Sequence, residues 1–165
     1  MIAVVQRVSS ARVVVDGRVV GEIDAGFMVL VGAVRGDAIA DVEYVEKRLA
    51  TLRLFADEGG RMNRSIDEID GALLIVSQFT LAANTRKGRR PSFLGALEPE
   101  FAEPMIDDLV ARLSARGLRV ESGEFGAMMR VELVNDGPVT IVLDSHDAGS
   151  GARAGAGEPA AGELE

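Results

Sequence analysis

Apolar residues change their spacing along this chain, and the changes mark out its elements. Valine and isoleucine dominate from Ile2 to Val15, a density that predicts one or two strands. "VVVDGRVV" then sets Asp16-Gly17 between valine-rich arms. This is a strong hairpin signal, because both turn residues tolerate positive φ. "FMVLVGAV" reads as a buried strand. Asp37 is placed to cap a helix whose Ile39, Val42, Val45, Leu49 and Leu52 recur at three- and four-residue steps. "RLFADEGGRMN" is extended and turns at Gly59-Gly60, and "GALLIVSQFTLAA" is a continuous apolar run predicting a central buried strand that ends near Phe79.

"NTRKGRRPSF" follows as a basic loop. Phe101, Met105, Leu109 and Leu113 at four-residue spacing predict a second helix, ended by Gly117. Pro104 fits only near its first turn, so this helix is expected to start late or bend there. Val120 to Phe125 and Met129 to Val134 read as strands, "NDGP" as a turn, and Val139 to Leu143 as the closing strand. From His146 on, "GSGARAGAGEPAAGELE" lacks the apolar residues needed to offset ordering entropy. The expectation is an α+β fold with an antiparallel-dominated, barrel-like sheet and two main helices in one domain, 1–145, and a disordered tail, 146–165.

Composition narrows the chemistry. There is no cysteine among the 165 residues, which excludes disulfides, thiolate nucleophiles and cysteine zinc sites and fits a reducing, cytoplasmic location. His146, the single histidine, lies at the edge of the tail. A Ser-His-Asp arrangement would have to borrow it, so acyl transfer of the usual protein-based kind is not expected. No motif or spacing implies a metal or cofactor. The formal net charge of −8 argues against general nucleic-acid adhesion but leaves room for a local basic patch. No apolar run reaches membrane-helix length, and the start, "MIAVVQRVSS", reads as a strand and not a leader.

Four stretches could carry chemistry. In "SQFTL", Ser77, Gln78 and Thr80 offer hydroxyl and amide groups at a strand end and Phe79 an apolar face; the plainer account is a strand terminus satisfying its own backbone. Arg86, Lys87, Arg89 and Arg90 form a cationic cluster in an acidic chain, suited to phosphates or simply solvated. Gly137-Pro138 puts a residue without an N–H at the start of a strand, either as a rigid turn that aims carbonyls or as punctuation. Arg7 stands among valines, either pairing with an acid or carbonyls or snorkelling.

Taken in order, "MIAVVQRV", "SQFTLAA", "RRPSF" and "LVNDGPVT" make the chain resemble the D-aminoacyl-tRNA deacylases of the bacterial and eukaryotic type, from Met1 to about Asp144. The resemblance implies a homodimeric, barrel-like α+β domain acting on the aminoacylated 3′ end of tRNA. It implies that Gly137-Pro138 is a Gly-cisPro element entering the partner's pocket, that Ser77, Gln78, Phe79 and Thr80 line the pocket, and that Arg7 buttresses the turn. It further implies that the terminal ribose 2′-hydroxyl helps activate water, with main-chain amides near Phe79 and Thr80 stabilising the oxyanion. A bare threonine hydroxyl is a poor nucleophile, which gives Thr80 a positioning role. If L-residues are rejected by clash with the turn, glycyl-tRNA should be accepted. Two other functions fit the residues: a dimeric nucleic-acid-binding module without hydrolytic activity, and a protein-only hydrolase using Thr80 on small esters.

Overall fold

The computed structural model describes residues 1–86 and 88–147. Lys87 and all but the first two residues of the anticipated tail lie outside them. The first strand, β1 (Ile2–Val15), organises the sheet. One edge pairs antiparallel with β3 (Gly26–Gly32) along residues 2–8 and with β2 (Arg18–Ile23) along residues 11–15. Asp16 and Gly17 make the intervening turn with φ of 48° and 77°, as the Asp-Gly pair predicts.

The other edge of β1 carries β8 (Arg130–Asp144) from Ile2 to Val14. Here the structure corrects the expectation of a chain reversal at "NDGP". β8 is one strand, and Asp136 to Val139 bulge out of it while the strand keeps its direction and its partner. The physical reason is that both flanks, Arg130–Asn135 and Thr140–Asp144, find the same antiparallel neighbour.

Beyond β3 the sheet continues with β6 (Ala72–Ser77) and β7 (Arg119–Ser122), both parallel. The sheet is therefore mixed, antiparallel around β1 and parallel at β3–β6–β7, because α2 intervenes as a crossover between β6 and β7. The short β4 (Phe55–Ala56) and β5 (Met62–Arg64) form the hairpin expected around Gly59-Gly60. The sheet curls until β2 meets β7: a Cβ on Gly21 would lie 2.6 Å from the Ser122 carbonyl oxygen. The result is a nearly closed barrel with two helices, α1 (Ile39–Thr51) and α2 (Pro99–Ala115).

Strands β3 and β6 are covered on both faces, which explains their unbroken apolar runs. Phe27, Val29, Val31, Leu73 and Ile75 pack with Val42, Val45, Leu49, Leu109 and Leu113 of the helices. Met28, Leu74 and Val76 turn inward to Ala11, Val13 and Ile23. Two helix details differ from expectation. Asp37 does not cap α1; its Oδ2 accepts the Val34 N–H at 2.7 Å, while Asp41 Oδ2 accepts that of Ala38. α2 starts at Pro99, with Pro104 inside it; it buries Ala102 and Ile106 beside the expected Leu109 and Leu113, half-buries Met105 and leaves Phe101 exposed.

Candidate active site

β6 delivers its residues to an apolar cavity of about 700 Å³. After Ser77 the strand ends, and Gln78 donates its N–H to Val31 at 2.7 Å. Phe79–Ala82 then wind into a single 3-10 turn. The approach of β3 to this turn is close: a Cβ on Gly32 would fall 2.7 Å from the Gln78 carbonyl oxygen and 3.2 Å from Leu81 Cβ. Ser77, Gln78 and Phe79 supply the rim of the cavity; Val76, Ala102, Ile106, Phe125 and Met129 are among the apolar side chains of its wall. A mostly apolar hollow with a few polar groups at one side suits a planar ring bearing a polar attachment.

Thr80 is not among the lining residues. It is exposed, and its hydroxyl accepts a hydrogen bond from the Gln78 side-chain amide. Phe79 and Phe93 meet edge to face, centroids 5.3 Å apart. That contact brings the far end of the basic loop back beside the cavity. The loop is closed by Asn84 and Ser92, each donating its N–H to the other's carbonyl at 2.8 and 3.0 Å. Arg86, Arg89 and Arg90 are all exposed on it. The fold thus joins "SQFTL", the cationic cluster and Phe93 in one region.

The Gly137-Pro138 stretch sits elsewhere. Both residues are exposed, the peptide bond between them is cis, and neither lines the cavity of its own chain. Arg7 lies opposite the bulge. Its Nε donates to the Asp136 carbonyl at 3.0 Å and stands 3.3 Å from that residue's carboxylate, and its Nη1 donates to the Leu54 carbonyl at 2.5 Å. The guanidinium therefore spans from the bulge to the segment after α1. Asn135, Leu54, Phe125 and Met129 were missed from sequence. Asn135 has a legible signal, an amide at the mouth of a Gly-Pro turn; the others are apolar or main-chain contributors that only the fold brings together.

His146 does not approach the cavity lining. Its Nε2 is 2.7 Å from Asp37 Oδ1 and 3.8 Å from Asp41, and the Met1 ammonium donates to Asp37 and to Ser145, both at 2.6 Å. The carboxyl of Asp41 sits below its ordinary value. Partial burial pushes it up, but hydrogen bonds from Ser145 and the Ala38 N–H, with the nearby ammonium and His146, outweigh that. Asp37, Asp41 and His146 bring their ligand-type atoms within 4.8 Å of one another, a grouping that sequence spacing does not announce; Asp37 is already engaged by the ammonium.

Residues 4–144 match the family model described as D-Tyr-tRNA(Tyr) deacylase. Among curated proteins, the chain is 50% identical over 145 residues to a "D-aminoacyl-tRNA deacylase" of Halalkalibacterium halodurans, spanning 88% of this chain and 99% of that one. It is 52% identical over 147 residues to the protein of the same name in Thermus aquaticus, spanning 89% and 97%. Among solved structures, one titled "c-Myc DNA Unwinding Element Binding Protein" superposes with a TM-score of 0.82 at 38% identity, covering 87% of this chain and 98% of that one. A "probable eukaryotic D-amino acid tRNA deacylase" superposes at 0.72 over 86% and 97%, and at 19% identity it bears on the fold alone.

Proposed function

The chain belongs to the D-Tyr-tRNA(Tyr) deacylase family, and from that premise we propose how its residues carry out the hydrolysis of a D-aminoacyl-tRNA. The enzyme is an esterase that returns a D-amino acid and free tRNA. The cavity at the end of β6 receives the terminal adenosine, with Ser77 and Gln78 at its rim and Phe79 and Phe93 beside the base. Arg86, Lys87, Arg89 and Arg90 hold the phosphates that lead to it.

The Gly137-Pro138 turn is the chiral gate, and it acts on the partner subunit's cavity. One observation carries this reading: the bulge is braced by Arg7, yet its residues Asp136, Gly137 and Pro138 stand exposed on a strand whose only paired neighbour, among the described residues, is β1. The same strand exposes Val134 and Val142, 57% and 68% accessible. An open apolar edge of this length calls for cover, and a second copy supplies it by two-fold pairing. Main-chain carbonyls of the turn then take the substrate's α-ammonium. With ammonium and ester both held, an L side chain runs into the turn and a D side chain points away. Clash discriminates more strongly than pocket filling, where a methylene contributes only about 1–3 kcal/mol. Glycine has nothing to clash and enters as well.

Water attacks the ester carbonyl carbon, assisted by the terminal 2′-hydroxyl. The bond to the ribose oxygen breaks, and that oxygen leaves with a proton. Amides at the start of a helical turn lack partners within it, which suits Phe79 and Thr80 to the oxyanion. Thr80 positions the Gln78 amide. No helix among the described residues is long and apolar enough to cross a membrane, and we place the reaction in the cytoplasm, where charged tRNA is found.

Complementation tests the shared site. A turn variant, Gly137→Ala, is mixed under exchange conditions with a rim variant, Gln78→Ala. If the turn acts in trans, half the dimers regain one intact site, about a quarter of wild-type activity. No recovery, or a monomer in solution, would remove the trans arrangement. The 38%-identical structure named for binding a DNA element and the basic loop favour a second reading, a nucleic-acid-binding module. That reading stands only if no D-aminoacyl-tRNA is hydrolysed.

A further inference from the structure

The ladder between β1 and β8 shifts register on both sides of Val8, and at the larger break, between Gln6 and Val8, a single β1 side chain faces the gap. Gln6 pairs with Thr140 and Val8 with Asn135, so Arg7 alone faces Asp136, Gly137, Pro138 and Val139. A bulge of this size strips backbone groups of their ladder partners. The Asn135 carboxamide replaces them. Its Oδ1 accepts the Val139 N–H at 3.1 Å; its Nδ2 donates to the Val139 carbonyl at 3.1 Å and to the Arg7 carbonyl at 3.3 Å. The amide serves as a surrogate peptide group, closing the base of the bulge and tying it to β1.

This use of the side chain demands asparagine. Two carbonyls face the nitrogen and one N–H faces the oxygen, so only one orientation of the amide satisfies all three. An aspartate of the same shape has no hydrogen to offer and would set its negative oxygen against two carbonyl oxygens. Arg7 holds the outer side of the bulge through Asp136, and Asn135 holds its base through Val139. Gly137 and Pro138 lie between these two anchors. A Cβ on Gly137 would come within 2.7 Å of Val139 Cγ2 and 2.8 Å of the Val139 nitrogen, so position 137 has no room for a side chain while Asn135 holds Val139 in place.

We propose that Asn135 is a positioning residue for chiral selection: by fixing Val139 against Arg7, it sets how far the Gly137-Pro138 turn projects. The inference rests on the reading of that turn as the gate. A loosened turn yields to an L side chain and holds the ammonium of a D substrate less firmly. The ratio of D to L hydrolysis therefore falls, where a merely structural lesion would lower both rates by one factor.

The test compares kcat/KM for the same tRNA charged with D- or L-tyrosine, in wild type and in Asn135→Asp, beside Gly137→Ala. The expected result is a drop in the D:L ratio of at least about tenfold for Asn135→Asp, equivalent to about 1.4 kcal/mol, in folded dimer. Asn135→Ser, whose hydroxyl is one bond shorter and cannot bridge two carbonyls, is the uncharged second variant and should behave alike. An unchanged ratio in either, with Gly137→Ala collapsing it, overturns the role of Asn135 and leaves the gate standing. An unchanged ratio in Gly137→Ala as well overturns the gate itself.

Discussion

Arg7 Nε donates to the main-chain oxygen of Asp136 at 3.0 Å, across the larger of the two breaks in register between β1 and β8. The guanidinium thus serves in place of the backbone bonds that a four-to-one bulge cannot make, and its second arm reaches the Leu54 carbonyl. A planar fork can serve two carbonyls in different directions; an ammonium on a flexible stem holds both poorly.

Arg7→Lys should therefore cost activity on D-aminoacyl-tRNA despite keeping the charge. Losing a hydrogen bond from a charged donor is worth about 1.5–3 kcal/mol, roughly a ten- to hundredfold fall in kcat/KM if the turn carries substrate. Steady-state deacylation reads it. Activity within twofold of wild type would mean that the brace is dispensable.

Gly32→Ala should disturb the cavity rim from outside it. The new methyl would sit 2.7 Å from the Gln78 carbonyl oxygen, and main chain at a packed strand end gives way only at about 1–3 kcal/mol. The expectation is a lower melting temperature together with weaker substrate binding. Thermal unfolding and a KM measurement on one preparation check both.

The arginines of the basic loop should act through salt. If Arg86, Arg89 and Arg90 hold phosphates as proposed, replacing all three with alanine should lower the slope of log affinity against log salt by about 2–3. The ratio of D to L hydrolysis should stay fixed, because these side chains lie on the loop and not on the turn. A slope equal to that of wild type would place the tRNA backbone elsewhere.

Acid should loosen the seam between the Met1 ammonium, Asp37, Asp41 and the Ser145–His146 segment. The Asp41 carboxyl is held below its ordinary value. A depressed folded value contributes stability above the unfolded carboxylate's titration, near pH ~4, and the contribution is lost as pH falls through the folded value. Asp37, His146, Ser145 and the Met1 ammonium face the same spot. Thermal unfolding from pH 2 to 6 should show a shallower acid decline in Asp41→Asn, from a lower plateau, than in wild type.

Much of the fold is legible in the sequence. The Asp16-Gly17 hairpin, the buried runs of β3 and β6, and the two helices follow from periodicity and turn chemistry, because each is decided within about a dozen residues. The parallel pairing of β3, β6 and β7 is not, since it depends on which edges are left free once β1 has taken β2 and β8. "NDGP" shows the limit most clearly. Its residues signal a reversal, yet β1 offers one continuous partner to both flanks, and tertiary pairing overrides the local preference. Asp37 failed as a helix cap for a similar reason: a charged partner distant in sequence, the Met1 ammonium, and the Val34 N–H occupy its oxygens. The rim residues Ser77, Gln78 and Phe79 were found by their motif, whereas Phe125 and Met129 contribute only apolar surface and carry no local mark.

The most direct test uses one tRNA body charged in turn with D-tyrosine, glycine and L-tyrosine, with cleavage followed at equal enzyme concentration. A gate that works by excluding a side chain from the Gly137-Pro138 turn hydrolyses the D-tyrosyl and glycyl forms and spares the L-tyrosyl form. Sparing of glycyl-tRNA at enzyme levels that clear D-tyrosyl-tRNA would contradict it, because selection would then depend on gripping a D side chain and not on shutting out an L one.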